Sequence, residues 1–516
     1  FGPELKHFIE RNYKKPYGFH TNLYASFIKR CDELIHDQGK FAMIHPRTFM
    51  FIKTFEGVRQ FILEKLHINL FVDYSLSSLF GAIMVDPAFY VLEKGITTSE
   101  KSWFVSLDQY TRTPQEKFKK DYTLTALDNY IADIEDKNNY TLPQSKMKII
   151  KSWPFIYWIS DGFREKFEEK AISEVYIICN GISSGGNNEQ FFRFWWEINQ
   201  IDISKNYFVD CKKWVFINKG GDFNKWYGNL WLVFEWAENG KSLKKLKEKI
   251  PSIRYSFEEF YFKDGLCFSG ASSKGLSTRY QPQNCLFERA GKSIFSKSDN
   301  KNYYYLLGLL NSKLSSYTID CLNPTVNIQS SDIGRIPFIN PDSSLKNEID
   351  SYTALNILIK KKIDSFSIKQ YDYLISPIYL NQKIYIIETI KYFLNYENYL
   401  MSHVLLNESI INKNIFEIYN LTGEDKAMVI AKEGECVGGL PVLADAKQAY
   451  LKEETAAEEF PLDNIRDFIK NLPEKEFTPE EKKAVTDGFP SLYQKNNDLE
   501  EFCNRNRINP INIWYW

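Results

Sequence analysis

Chemistry is most concentrated in the run Lys219-Gly220-Gly221-Asp222-Phe223-Asn224-Lys225-Trp226-Tyr227-Gly228-Asn229. Lysines neutralise phosphates, glycines permit left-handed turns and close backbone approach, and asparagine amides pair with base edges. Lys219, Lys225, Asn224 and Asn229 supply those groups, and Trp226 and Tyr227 add faces on which a base can stack. A second reading packs Lys225–Gly228 into a β-turn with no ligand. Arg193, in FFRFWWE (191–197), and the pair Arg279-Tyr280 are further candidates for nucleic-acid contact, each with a salt-bridged scaffold role as its alternative. The lysine-rich run at 241–249 reads as a solvated helix face.

Other chemistries lack their residues. The six histidines, at 7, 20, 36, 45, 67 and 403, accompany no nucleophile elbow. His45 is the one in a suggestive place, before Pro46 at the carboxyl end of a strand, and reads as structural. There is neither G-x-x-x-x-G-K-[ST] nor G-x-G-x-x-G, and the glycines of 181–186 precede no helix signature. Eight cysteines are scattered without CxxC spacing, which argues against a zinc site or a disulfide framework, so no metal is expected.

The elements that must position these groups follow from periodicity. Asn22 caps a helix running to about Ile35, KFAMIHP (40–46) reads as a strand buried on both faces, a helix spans about 54–66, and INLFVDY (68–74) completes a βαβ-like unit. With closing strands through Leu92, this is part of a doubly wound α/β domain. From about 105 to 345 short aromatic strands alternate with Gly/Asn/Ser turns, and eight of the eleven tryptophans fall between 153 and 236, most of them as β-domain core. Helix periodicity returns at 345–420. The expected order is therefore α/β over 1–105, a mixed β-rich domain over 106–345, a helical segment over 346–420 and an acidic helical domain over 421–516, with helices begun at Pro461, Pro473 and Pro479.

The chain of 516 residues carries a net charge of −1, but 421–505 holds 11 basic and 19 acidic residues. That local −8 leaves +7 on the remainder, so an acidic tail masks a basic body. Ile465, Phe468, Ile469 and Leu472 form an amphipathic face that a protein partner could cover. With no signal peptide and no apolar run long enough to span a bilayer, the protein is expected in the cytoplasm. The opening Phe1-Gly2-Pro3 without an initiator Met suggests a piece of a longer chain.

The segment KFAMIHPRTFMFIKTFEGVRQFILE (40–64) resembles the part of adenine-directed DNA amino-methyltransferases just downstream of their catalytic tetrapeptide. SWPFIYWISDGFREKF (152–167), SSGGNNEQFFRFWWEI (183–198), NKGGDFNKWYGN (218–229) and STRYQPQNCLFERAGKSIF (277–295) narrow this to the PglX family of BREX phage-defence systems, and the ending RINPINIWYW (507–516) has the same look. The resemblance implies a partial Rossmann-like methyltransferase domain followed by a target-recognition domain, with methyl transfer from S-adenosylmethionine to the exocyclic amine of adenine in double-stranded DNA. It also implies other BREX proteins as partners. The alternative is a non-catalytic specificity subunit. The family's [DNS]PP[YFW] motif and Gly-rich cofactor motif should lie upstream of Phe1, since this sequence has no Pro-Pro. Phe80, in Leu79-Phe80-Gly81, falls where such enzymes offer a second aromatic to the flipped adenine, with a core role as its alternative. Family members tend to have Arg where Asn224 stands, which puts one phosphate or guanine contact in doubt.

Overall fold

The computed structural model describes residues 2–74, 85–95, 101–108, 118–298, 303–376, 379, 383–456, 463–495 and 498–516. These form two compact units, 1–169 with 321–324, and 170–320 with 325–516.

In the first unit the helix α1 (Pro3–Tyr13) precedes α2 (Leu23–Leu34), whose cap is Asn22, accepting from the Tyr24 N–H. β1 (Lys40–Pro46), α3 (Glu56–Lys65) and β2 (Leu66–Asp73) follow in the expected order, then β3 (Pro87–Lys94), β4 (Ser102–Ser106), α4 (Lys119–Ile131) and β5 (Asn139–Leu142). The sheet order is β1-β3-β2-β4-β5. Here the expectation needs two corrections. β1 and β2 run in the same direction, but antiparallel β3 lies between them and takes the hydrogen bonds of both. β1 is thereby an edge strand, and alternate residues such as Ile44, 48% exposed, face outward. Its apolar run signalled a strand, while its burial depended on a neighbour distant in sequence. β2 and β4 are parallel, and apolar side chains cover the sheet on both faces. One layer joins Phe61 of α3 to Phe71, Tyr90 and Phe104, and the other sets Ala126 of α4 against Val72 and Val105. The block 152–167 belongs here, with Phe155 and Tyr157 buried in the first layer.

The second unit holds two four-stranded sheets. β6 (Tyr176–Cys179), β7 (Phe192–Phe194), β8 (Trp214–Asn218), β9 (Leu232–Glu235), β10 (Gly265–Ser269), β11 (Thr278–Gln281), β12 (Cys285–Phe287) and β13 (Gly291–Ser296) are divided between the orders β12-β8-β9-β7 and β11-β10-β13-β6. Trp195, Trp214, Trp226 and Trp236 are buried, so most of the aromatic load is core, while Trp196 is 46% exposed.

Helices complete the unit. α5 (Ser343–Asp364) is capped by Asp342, whose carboxylate accepts from the Ser344 and Leu345 N–H groups. α6 (Ile386–Ile418) is the long helix, followed in the chain by α7 (Gly423–Glu433), α8 (Ala444–Ala456), α9 (Asp463–Lys470), α10 (Pro479–Lys495), α11 (Leu499–Asn506) and α12 (Pro510–Tyr515). The acidic segment shares a core with α6, in which Leu405 meets Val437, Phe477, Leu492 and Phe502. Pro479 begins a helix as expected, whereas Pro473 lies in an extended stretch whose neighbour Glu474 bridges to Val442, and Pro461 lies outside the described residues. Most of the face expected to await a partner is already covered: Ile465, Ile469 and Leu472 are buried within the chain, and Phe468 is half-buried.

Candidate nucleic-acid interface

The glycine-rich turn leaves β8 through Asn218, whose side chain accepts from the Gly220 N–H and donates to the Gly291 carbonyl. Gly221 has φ +105°, and a Cβ there would lie 2.5 Å from the Trp231 ring, so the glycine is demanded by the protein's own packing. Asn229 closes the loop by donating to the Gly220 and Asp222 carbonyls at 3.1 and 2.9 Å. Trp226 is tied to β11, its N–H donating to Thr278 and its carbonyl accepting from Tyr280.

The side chains point inward. Trp226 Nε1 donates to Glu408 of α6 at 2.6 Å, and Lys225 Nζ lies 3.5 Å from the other oxygen of that carboxylate and 4.0 Å from Glu500. Lys313 pairs with Glu500 at 3.0 Å. Burial alone would push Lys225 down, but Glu408 and Glu500 outweigh it and hold it charged well above the usual ammonium range. Burial would likewise raise Glu500, yet Lys225 and Lys313 bring it down to about 2. Tyr227 donates its hydroxyl to Asp372 at 2.5 Å. Between the turn and the helices lies a cavity of about 400 Å³ in which Lys225, Lys274 and Lys360 face Glu408, Asp498 and Glu500, so its charges are matched within the protein.

The remaining candidates scatter around this turn. Arg279 is fully buried and donates to the Asn224 carbonyl at 3.3 Å. Asn224 donates to Asn229 at 3.4 Å. Arg193 donates to the Phe192 and Glu189 carbonyls with its guanidinium 5.9 Å from the Trp214 ring centre. Lys219 sits 3.9 Å over the Phe192 ring, and Tyr280 is half-buried. Phe80 lies outside the described residues.

In the first unit the carboxyl ends of β1, β2 and β4 carry a charge cluster. Arg47 donates to Asp73 at 2.8 Å and to Asp108 at 3.1 Å, with Asp73 only 1% exposed. Arg59, fully buried, donates to the carbonyls of Phe49, Ile52 and Ser152. His45 is packed on Tyr24 at 4.4 Å, and its Nε2 bonds the Tyr90 hydroxyl at 2.5 Å. Burial lowers its pKa to about 4, which keeps it neutral and marks it as a core histidine.

A second lysine-bearing surface of the second unit escaped the sequence reading. A groove of about 660 Å³ runs between residues 200–205 and the end of α5 with 371–374, and its lysines are Lys205, Lys361 and Lys362. Its walls are more than 150 residues apart in the chain, so no local motif could reveal it. Tyr371 packs against Phe216 at 4.1 Å, and the Trp195 indole donates to the Lys369 carbonyl, fixing the far wall to the sheet.

Residues 2–80 match the family model of the Eco57I restriction-modification methylases. Beyond that class, the chain is 27% identical over 335 residues to the adenine-specific methyltransferase PglX of Lacticaseibacillus casei (strain Zhang), covering 63% of this chain and 27% of that protein. It is 26% identical over 344 residues to the adenine-specific methyltransferase BrxX of Escherichia coli O9:H4 (strain HS), covering 65% and 26%. The likeness to PglX read from the ordered blocks is thus present over most of the chain, which spans about a quarter of the length of these relatives. Among solved structures, the Type IIL restriction-modification enzyme MmeI in complex with DNA aligns over 84% of this chain and 55% of that one, at 10% identity and a TM-score of 0.48. Among the described residues no helix is long and apolar enough to cross a membrane, and no group of acids, histidines and cysteines could hold a metal.

Proposed function

We propose that this chain is the specificity-bearing portion of an adenine-specific DNA methyltransferase of BREX phage defence, acting on double-stranded DNA alongside other BREX proteins. The observation that carries this is the reach of the similarity to PglX and BrxX. It covers 335 and 344 residues, far more than the 2–80 segment that matches a methylase model, and so takes in much of the second unit. The first unit is the closing part of a Rossmann-like methyltransferase domain, the second recognises the target, and the segments 1–105, 106–345, 346–420 and 421–516 are divisions of role within that scheme.

The reaction transfers a methyl group from S-adenosylmethionine to an exocyclic amine that is buried in the duplex, so the base must be extruded before it can react. In this reading Phe80 stacks on the extruded adenine. Among the described residues nothing fits the cofactor: the acids at the strand ends, Asp73 and Asp108, are engaged by Arg47, and the sequence holds neither the Gly-rich motif nor [DNS]PP[YFW]. The work assigned to this chain is to bind and orient duplex. Of the sequence-derived contacts, Lys219, Asn224, Arg193 and Tyr280 keep partial access to solvent and remain candidates, while Lys225, Trp226, Tyr227, Asn229, Arg279 and the backbone of Gly220 and Gly221 build the turn that presents them.

The test is duplex binding and methyl transfer from radiolabelled S-adenosylmethionine. The chain alone should bind duplex with steep salt dependence and transfer no methyl. Supplying the upstream portion in one polypeptide should restore transfer to adenine. Binding without transfer by that longer protein would identify a non-catalytic specificity subunit, and no binding by either would remove the reading.

A further inference from the structure

We propose that Phe194 and Trp196, two stacked and solvent-facing rings at the edge strand β7, form a platform that takes up an unpaired DNA base while Lys219 holds a phosphate of the same strand. This rests on the reading of the chain as a DNA-recognition unit.

The platform is set by the local fold. β7 lies at the edge of its sheet and pairs with β9, so that Phe194 stands opposite Leu232. The chain then turns tightly, and the Glu197 carboxylate accepts from the Phe194 N–H at 2.7 Å. Trp195 points inward and is 7% exposed. Its N–H donates to the Trp231 carbonyl at 3.0 Å and its indole to the Lys369 carbonyl at 3.2 Å. With Trp195 anchored on both sides, its two neighbours turn outward. Phe194 and Trp196 lie ring on ring, with centroids 4.7 Å apart and planes within 5°, and they are 44% and 46% exposed. The Trp231 ring also backs Gly221, so the platform and the glycine-rich turn share one support.

The surroundings select a nucleotide. Phe192 and Phe194 point to the same face of β7, two residues and about 7 Å apart along the strand, and the Lys219 ammonium sits 3.9 Å over the Phe192 ring. The Glu288 carboxylate, which feels the Lys219 charge, accepts from the Ala290 N–H at 2.6 Å. At the backbone of Phe194 the Glu197 carboxylate is an acceptor that would repel a phosphate and suits the exocyclic amine of a base. A cation, a flat aromatic step and an acceptor thus follow one another as phosphate, base and amine do in a nucleotide. An apolar protein side chain would cover the rings and give Lys219 no anion.

The base must be one released from its stack, since a paired base has both faces covered by its neighbours. Methylation of adenine requires such a release, and a stacked aromatic pair accepts any base because every base has a π-face.

The experiment titrates the parent, F194A/W196A and K219Q into three fluorescent duplexes across a range of salt, with a melting curve on each protein to establish folding. One duplex is fully paired, one carries a single bulged adenine, and one carries an abasic residue in place of that adenine. Stacking of a base on an aromatic side chain corresponds to about 5- to 150-fold in affinity. The parent should prefer the bulged adenine to the abasic duplex by a factor in that range. F194A/W196A should lose the preference and keep the parent's salt slope, because the rings carry no charge. K219Q should keep the preference and lower the slope of log affinity against log salt by about 0.9; an unchanged slope overturns the phosphate contact. A parent without the preference, or a folded F194A/W196A that retains it, overturns the platform and leaves the DNA reading standing. A parent that binds no duplex at all overturns both. An equal loss on all three duplexes would place the rings on the sugar-phosphate backbone, and the proposal fails. It fails as well if duplex binding is untouched and F194A/W196A instead loses a protein that co-purifies with the parent. Should the double variant fail to fold, W196A alone should still reduce the preference, and an unchanged preference there overturns the assignment.

Discussion

The second unit carries two lysine surfaces that look alike in composition and differ in what stands opposite them. At the glycine-rich turn, Lys225 and Lys274 face Glu408, Asp498, Glu500 and Glu501, brought there by α6 and by the acidic C-terminal segment. At the groove, Lys205, Lys361 and Lys362 line the walls with Asp372, which accepts the Tyr227 hydroxyl and lies 4.0 Å from Lys361. A lysine's energetic weight is decided by its opposite wall: paired with a buried carboxylate it holds helices together, while a pair left in solvent contributes little. The acidic tail masks the basic body by direct ion pairing at the turn.

The contrast can be broken most forcefully at Lys225. Lys225→Ala leaves the buried Glu408 without its cation, while Glu500 keeps Lys313, and should cost about 3–5 kcal/mol of stability, measured by urea denaturation. If Lys225 were instead a solvated phosphate ligand, stability would stay near that of the parent and only duplex affinity would fall.

Asp364 sits at the seam between the two surfaces, at the end of α5 and against Gly228, where a Cβ would lie 2.6 Å from its Oδ2. That oxygen has no hydrogen-bond partner, and burial raises the carboxyl pKa to about 7, eased by Lys360. Because the folded pKa is above the unfolded one, the folded state keeps a proton that the unfolded chain has lost, and this group makes stability fall as pH rises from about 4 to 7. Asp364→Asn removes that loss, so the variant should gain about 2–4 kcal/mol relative to the parent between pH 5 and pH 8. Glu433, which burial also raises to about 7, should keep part of the pH dependence in both proteins. A gap between variant and parent that does not widen with pH in thermal melts would show that Asp364 is ionised throughout.

Gly228→Ala tests the same seam sterically. With φ at +118° and Asp364 in the way, the substitution should cost about 1–3 kcal/mol by thermal melting; a neutral result would mean that the turn can move away from α5. The smallest effect belongs to Lys274. Its pairs with Asp498 and Glu501 are part of the same acidic clasp, but the lysine side chain is 45% exposed, so Lys274→Ala should cost below about 1 kcal/mol. A loss as large as that of Lys225→Ala would mean that the whole acidic interface acts as one network and not through its buried centre.

Much of the local structure was legible because it is written in short-range pattern. Asn22 caps the helix it was expected to cap, 40–46 and 66–73 are strands, and the aromatic clustering does build a β-rich core. The similarity to PglX was legible as well, because its blocks are continuous in the chain. What stood opposite each candidate was not. The turn glycines and lysines were correctly seen as unusual, but the carboxylates that claim Lys225 and Trp226 come from 408 and 500, some 180 and 275 residues away. β1 read as doubly buried because periodicity reports side-chain type, whereas the insertion of β3 that makes it an edge strand is a long-range pairing. Residue type and spacing, set by short-range sterics and hydrogen bonding, determined where helices, strands and turns form. The partner of each charge, and with it whether a lysine is scaffold or open binding surface, was decided only when distant segments packed together.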